Sequence, residues 1–130
     1  MMKSIALAAV IALSATAAEA TPLTPAEQAS LQSAMFQFID RQLVKDKFLK
    51  LDLDTGEVRA LFPAKAHPMI LRMDDGFVLC TDFRDAKGQS VNVDFYVARS
   101  GEGFVIYDSE VDNRKPLMAL MKSGKVSATE

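Results

Sequence analysis

The residues best suited to chemistry lie on two alternating runs between Phe77 and Ala98, "FVLCTDFRDAKGQSVNVDFYVA". One set of alternate positions is mostly apolar, and the other carries a thiol, carboxylates, an amide and a phenol: Cys80, Asp82, Asn92, Asp94 and Tyr96. A carboxylate on such a face can act as a general base when burial raises its pKa, and a tyrosine offers apolar area with a polar handle. The pattern therefore predicts either a recognition surface or a small acid–base site.

Neighbouring hairpins extend this set. A three-residue loop at 74–76 and a tight turn at 100–101 would bring Ile70, Arg72 and Tyr107 to the same side of the sheet. We call the predicted ligand-binding residues the candidate face; they are Arg72, Cys80, Asp82, Asn92, Asp94, Tyr96 and Tyr107. Its mixed composition predicts partial cover by the C-terminal segment, a second chain or a ligand. The alternative is an ordinary outer sheet face with scattered apolar residues.

The sequence offers little for covalent or metal chemistry. It contains one cysteine, Cys80, and one histidine, His67. A catalytic thiol needs a base and a third orienting group, and a metal site needs three or four ligands. We therefore predict no catalytic residue, no metal site and no cofactor. Cys80 is expected to be a small buried hydrophobe with an inert thiol, and His67 an exposed residue of the proline-rich connecting loop "FPAKAHP".

An N-terminal helix is predicted over residues 25–44. Thr24 can cap the first amides, Pro25 suits the first helical position, and Glu27 can complete a capping box. Leu31 and Met35 begin an apolar stripe that continues to residue 43. The stripe predicts a helix that packs on one face of a sheet, rather than one that lies in a membrane surface.

The rest of the chain predicts an α+β fold. From Phe48 onward apolar residues alternate between glycine-containing turns, which is typical of an antiparallel meander, here of about six strands. A short C-terminal helix should follow Val111, with Asp112 or Asn113 as its cap and Gly124 as its end. The expected core is Leu31, Met35, Phe38, Leu51, Val58, Leu71, Leu79, Phe83, Val93, Phe95 and Ile106.

The first 20 residues read as a signal peptide. Lys3 precedes an apolar run from Ile5 to Leu13, and Ala18 and Ala20 form a small-x-small cleavage signal. The run is shorter than the roughly 20 residues that a spanning helix needs, so we expect cleavage and no membrane anchor. The expected organisation is a signal peptide at 1–20, one domain at 21–124 and a disordered tail at 125–130. The expected location is the periplasm or the secreted medium.

Charge gives no sign of a nucleic-acid partner. The formal net charge is −2, and lysine and arginine are scattered rather than clustered. The partner is therefore expected to be an unidentified small ligand or protein, and a homodimer is possible.

A long N-terminal helix followed by a coiled antiparallel meander resembles the cystatin-like and NTF2-like α+β rolls. The hairpin "LDLDTGEV" is similar to the turn of small exported PepSY-type domains. The resemblance implies a fold, and such folds serve many functions. The chain has no cystatin Gln-x-Val-x-Gly motif, so protease inhibition is not implied.

Three functions remain open. The favoured one is an exported, non-catalytic binding or interaction module. The second is a small hydrolase or isomerase with an NTF2-like cavity, in which Asp82 or Asp94 acts as general base near Tyr96 or Tyr107. The third is a structural protein that associates with itself.

Overall fold

The computed structural model describes residues 22–129, which form two helices and seven strands. The predicted signal peptide lies outside these described residues. The elements are α1 (Pro25–Gln42), β1 (Leu43–Val44), β2 (Lys47–Leu51), β3 (Val58–Met73), β4 (Gly76–Arg84), β5 (Ser90–Ser100), β6 (Gly103–Val111), α2 (Lys115–Lys122) and β7 (Val126–Ala128). The α+β class is thus confirmed.

Helix α1 begins with the predicted capping box. The Thr24 hydroxyl accepts a hydrogen bond from the Glu27 amide at 3.1 Å, and the Glu27 carboxylate accepts one from the Thr24 amide at 3.4 Å. Leu31, Met35 and Ile39 then recur every fourth residue and are buried. This spacing puts them on one side of the helix, which packs against the sheet.

The strands form a single antiparallel sheet in the order β1-β2-β3-β4-β5-β6, and β7 pairs with β3. Two differences from the predicted six-strand meander arise in β3 and β7. The proline-rich stretch expected to be a loop lies within the long strand β3, where two register shifts absorb it. Residues 126–128, expected to be part of a disordered tail, form β7, and the Thr129 hydroxyl donates to the Ile70 carbonyl at 2.8 Å.

The first face of the sheet carries the main core under α1. Phe95 is at its centre, with ring centroids 5.8 Å from Phe38, 6.2 Å from Phe48 and 6.5 Å from Phe83. Most of the expected core residues are in or against this cluster: Leu31, Met35, Phe38, Leu79, Phe83, Val93, Phe95 and Ile106.

Leu51 and Val58 were expected in the core but are exposed. They face each other across the β2–β3 pair, while the neighbouring pair Phe48 and Leu61 points into the core. The sequence prediction therefore assigned the wrong side of this hairpin to the core. The loop between the strands is longer than predicted, because the Asp52 carboxylate accepts hydrogen bonds from the amides of Asp54 and Thr55.

The second face of the sheet carries a smaller second core, which α2 and β7 cover. Its members are Leu71, Val78, Cys80, Tyr96, Leu117 and Val126. Helix α2 begins after Arg114 with no side-chain cap, so neither predicted cap residue has that role. Gly124 ends the helical segment in the left-handed region, at φ 80°, as the sequence predicted.

The β3–β4 turn reverses one predicted strand. Met73 pairs with Gly76, so the turn has two central residues rather than three, and Asp74 occupies the left-handed region at φ 50°. Gly76 is needed for a different reason, since a Cβ there would collide with the Val97 carbonyl oxygen. The one-residue shift places Ile70 in the main core and Leu71 in the second core, the reverse of the prediction.

The β5–β6 pair also departs from the predicted register. Ser100 pairs with Gly103, which moves the turn one residue along the chain. A β-bulge in β6 then leaves Tyr107 outside the residue-by-residue pairing with β5, because Val97 pairs with Ile106 and Tyr96 with Asp108.

In the described part of the chain, neither helix is long and apolar enough to cross a membrane.

Candidate functional site

Strands β4 and β5 bring five residues of the candidate face together, as the sequence predicted. Cys80 lies opposite Asp94, and Asp82 lies opposite Asn92. Tyr96 follows Asp94 by two residues, on the same side of its strand. These side chains lie on the side away from Phe95, and Cys80 and Tyr96 belong to the second core.

Asp94 is 0% exposed, and a residue from the α2 segment supplies the opposite charge. The Arg114 guanidinium reaches over the sheet, with Nη2 3.5 Å from Asp94 Oδ1, and its Nε donates to Asn92 Oδ1 at 2.9 Å. Sequence reasoning missed Arg114. The sequence signal for Arg114 was its position at the start of the predicted C-terminal helix, which could cover the face that carries Cys80 and Asp94.

The environment of Cys80 disfavours its thiolate. Burial raises the pKa of Cys80 to about 12, and the neighbouring Asp94 carboxylate acts in the same direction because it disfavours a second negative charge. The expectation that Cys80 is buried is confirmed. The pKa of Tyr96 is raised too, first by burial and then by the negative charges of Asp94, Glu110 and Asp108.

Asp82 has a different partner, His67. The Nε2 atom of His67 lies 3.0 Å from Asp82 Oδ2, and both side chains are half-buried. His67 lies within β3 rather than in an exposed loop, since the strand continues through the proline-rich stretch. The described residues contain no group of three or more histidine, cysteine or acidic side chains that could hold a metal ion.

Arg72 does not share the face that carries Cys80 and Asp94. The shorter β3–β4 turn places Arg72 opposite Phe77, on the first side of the sheet, so a one-residue error at this turn assigned it to the wrong side. Tyr107 is the bulged residue beside Asp108, which pairs with Tyr96, and it is 55% exposed. Glu110 takes the place opposite Asp94 that was predicted for Tyr107.

The structure instead places Arg72 and Tyr107 in an open cavity of about 710 Å³ at one end of the sheet. We call it the end groove; it is lined by Arg72, Met73, Asp74, Asp75, Gly76, Val97, Ala98, Arg99 and Tyr107. It lies where the β3–β4 turn meets the end of β5.

Both arginines of the end groove are held against aromatic rings. The Arg72 Cζ atom lies 5.7 Å from the centroid of Phe77, and the Arg99 Cζ atom lies 5.2 Å from the same ring and 5.4 Å from Phe104. Arg99 Nη2 also contacts Glu27 Oε2 at 3.3 Å. The pKa of Glu27 is lowered by the hydrogen bond from the Thr24 amide and by Arg99. These contacts hold the two guanidinium groups over the Phe77 ring.

The two surfaces differ in what they can do chemically. The face with Cys80 and Asp94 is closed by α2, β7 and Arg114, so it holds the C-terminal segment in place. The end groove is open, and charged residues are among those that line it. No protein-family model, curated protein or solved structure matches this chain.

Proposed function

We propose that the protein is a small, non-catalytic binding module that holds its ligand in the end groove. The observation that carries this proposal is an open cavity of about 710 Å³ whose lining residues include Arg72, Arg99 and the exposed Tyr107. Concave sites with a few convergent polar groups are where proteins usually bind small molecules. Arg72 and Tyr107 are the members of the candidate face that contribute to it.

Two features support a non-catalytic role. Asp94, a general-base candidate, is fully buried beneath Arg114 and does not reach the surface. The thiol of Cys80 stays protonated at neutral pH because burial raises its pKa to about 12. These contacts weigh against the alternative of a small hydrolase or isomerase.

Export and fold family complete the proposal. The signal-peptide pattern of residues 1–20 supports a periplasmic or secreted location. The order of one long helix followed by an antiparallel meander supports a cystatin-like or NTF2-like roll. The fold alone names no ligand, so the proposal depends on the end groove.

Nuclear magnetic resonance tests the binding site directly. The ¹⁵N-labelled protein, expressed from its full sequence, would be titrated with a fragment set of carboxylates, amines, amino acids and neutral aromatics. We expect shifts of the backbone amides at 72–76 and 97–99. Amides at 50–54 line a second, separate cavity and serve as the internal control. Shifts confined to other surfaces, or none at all, would reject the proposal.

Self-association is a second candidate function, and one observation favours it. The outer side of the β2–β3 hairpin exposes several large apolar side chains: Leu49, Leu51, Leu53, Val58 and Phe62. Clustered exposed apolar residues often mark contact surfaces. Sedimentation velocity over a range of protein concentrations tests this idea. A single species with the monomer mass at every concentration would eliminate it.

A further inference from the structure

The C-terminal segment differs in charge from the rest of the described chain. Residues 113–129 contain four basic residues and no acidic residue, whereas residues 22–112 contain fifteen acidic and ten basic residues. The ion pair with Asp94 accounts for Arg114. The other three basic residues are all exposed: Lys115, Lys122 and Lys125. The segment is therefore a cationic part of a molecule that is otherwise acidic.

Two of these lysines share the outer side of α2 with two methionines. Met118 is 62% exposed and Met121 is 44% exposed, while Leu117 packs into the second core. Lys115, Met118 and Lys122 follow one another at spacings of three and four residues, which places them on one side of a helix. We call this surface the α2 outer face; it consists of Lys115, Met118, Met121 and Lys122. It presents ammonium groups beside unbranched apolar side chains.

Contacts within the protein do not account for the charge of the α2 outer face. In the part of the chain that the structure describes, none of the three lysines forms an ion pair with an acidic side chain. Lys122 is in the last turn of α2, where the helix dipole favours a cation. Lys115 is in the first turn, where the dipole disfavours one, and that turn has no acidic residue and no side-chain cap. The charge of Lys115 thus points to a partner outside the chain.

The residue types indicate the chemistry of that partner. Three unpaired ammonium groups require an anionic surface for charge complementarity. Protein–protein interfaces are depleted in lysine, whereas helices that lie on membranes combine lysine with apolar side chains on neighbouring positions. Lysine also places its apolar stem along a lipid interface while its ammonium group stays at the headgroups. The pattern therefore favours an anionic lipid surface over an acidic protein.

We propose that the α2 outer face docks on the surface of an anionic phospholipid bilayer. Met118 and Met121 enter the interfacial layer, and Lys115 and Lys122 contact the lipid phosphates. The acidic remainder of the molecule is repelled by the same surface, which orients the protein with α2 toward the lipid. The contact is peripheral and reversible. It is separate from the end groove, and neither proposal depends on the other.

Vesicle co-sedimentation tests the class of partner. The protein, expressed from its full sequence, would be mixed with vesicles of phosphatidylcholine alone and with vesicles that also contain phosphatidylglycerol. We expect binding to the phosphatidylglycerol vesicles at low ionic strength. The binding should be lost at about 1 M salt, where the Debye length falls to about 3 Å. Equal binding to the two kinds of vesicle, or none to either, would overturn the proposal.

Paired variants test the residues of the α2 outer face. Lys115→Gln with Lys122→Gln should weaken binding about tenfold or more, since each lysine near an anionic surface contributes about fivefold. Met118→Ser with Met121→Ser should weaken it about fivefold, because less apolar area enters the interface. Two controls should leave binding unchanged: Lys47→Gln with Lys87→Gln, and Leu53→Ser, all at exposed positions outside the C-terminal segment.

NMR locates the contact independently of the variants. Bicelles that contain phosphatidylglycerol would be added to the ¹⁵N-labelled protein. The backbone amides of α2 should shift or broaden, and those at 50–54 should not. Effects confined to residues outside 114–129 would overturn the proposal, and so would unchanged binding in the lysine pair. If the lysine pair loses binding and the methionine pair does not, the partner is an acidic macromolecule and the bilayer is rejected. Thermal melting would check that each variant is folded; if one is not, the NMR map decides.

Discussion

At the scale of single residues, Cys80 and Asp94 illustrate how position decides chemistry. They lie opposite each other on β4 and β5, and both are buried under the C-terminal segment. A thiol beside a carboxylate in such surroundings gains no nucleophilicity, because both burial and the neighbouring negative charge favour the protonated form. The pair is therefore part of the packing between the sheet and the C-terminal segment.

Alkylation measures this directly. We expect iodoacetamide at pH 8 to leave Cys80 unmodified in the folded protein, since its pKa is raised to about 12 and the thiolate is the reactive form. In concentrated urea the same thiol should react at the rate of an unstructured cysteine. Mass spectrometry reports both states. Rapid labelling of the folded protein, at the rate found in urea, would contradict the buried position.

The raised pKa of Cys80 also predicts sensitivity to alkaline pH. Its value rises from 9.0 to about 12 on folding, so the protonated thiol contributes stability below pH 9 that is lost as pH rises toward 12. The pKa of Tyr96 is raised as well and acts in the same direction. Urea unfolding at pH 7 and pH 10 should show a loss of stability that Cys80→Ala reduces but does not abolish. An identical loss in both proteins would contradict this linkage.

At the scale of elements, Arg114 connects α2 to the sheet. Its guanidinium group contacts Asp94 and Asn92, two residues of β5, while Leu117 packs into the second core. The N-terminal end of α2 is thus attached by charge and its next turn by apolar contact. The ion pair matters because Asp94 is otherwise a buried negative charge.

Removal of Arg114 should be destabilising for this reason. Arg114→Ala should lower the free energy of unfolding by about 1–3 kcal/mol, the usual cost of a buried polar group that loses its partner. The double variant Asp94→Asn with Arg114→Ala should recover part of the loss, because the buried charge is then absent. Lys115→Ala, next in sequence and exposed, is the control. Urea denaturation would measure these variants together with the single Asp94→Asn change. A double variant whose loss of stability equals the sum of the two single losses would argue against the ion pair.

The elements were predictable from the sequence to the extent that local chemistry determines them. Thr24 and Glu27 identified the start of α1. The loop between β4 and β5 has the length that pairs Phe83 with Val91. The β3–β4 and β5–β6 turns each differ from the prediction by one residue. A three-residue turn at 74–76 would put Gly76 at its left-handed position. In the structure Asp74 has that conformation, and Gly76 is needed because a Cβ there would collide with the Val97 carbonyl oxygen. A contact from a distant strand is not visible in local sequence.

The same limit separates the predicted site from the observed one. The central pair of strands was correct, so Cys80, Asp82, Asn92, Asp94 and Tyr96 share a face. Arg72 and Tyr107 depend on the outer turns and lie in the end groove. Because side chains alternate along a strand, the one-residue error at the β3–β4 turn moved Arg72 to the opposite surface. The bulge in β6 moved Tyr107 out of its predicted place opposite Asp94. Arg99, which completes the groove, had no distinguishing local pattern.

At the scale of the whole molecule, one sheet supports two apolar clusters on its opposite sides. The main core under α1 contains the aromatic residues, with Phe95 in contact with three other rings. The second core under α2 is smaller and includes Cys80 and Tyr96. Most of the stability should therefore come from the first side.

Phe95→Ala tests this distribution. Loss of a fully buried aromatic side chain should lower the free energy of unfolding by about 3–5 kcal/mol, through lost transfer free energy and the cavity that remains. Leu53→Ala, at a position that is 87% exposed, should change it by less than about 0.5 kcal/mol. Chemical denaturation of both variants provides the comparison. Equal stabilities would place Phe95 outside the core.

The two-sided sheet also determines the order in which the molecule can fold. The main core is built from residues up to Val111, so it can form as soon as that part of the chain has emerged from the ribosome. The opposite side, with Leu71 and Val78, stays exposed to solvent until Leu117 and Val126 have been synthesised and can cover it. A chain that ends before Leu117 would thus be a folded helix on a sheet whose second face exposes apolar side chains. Species of this kind aggregate or recruit chaperones.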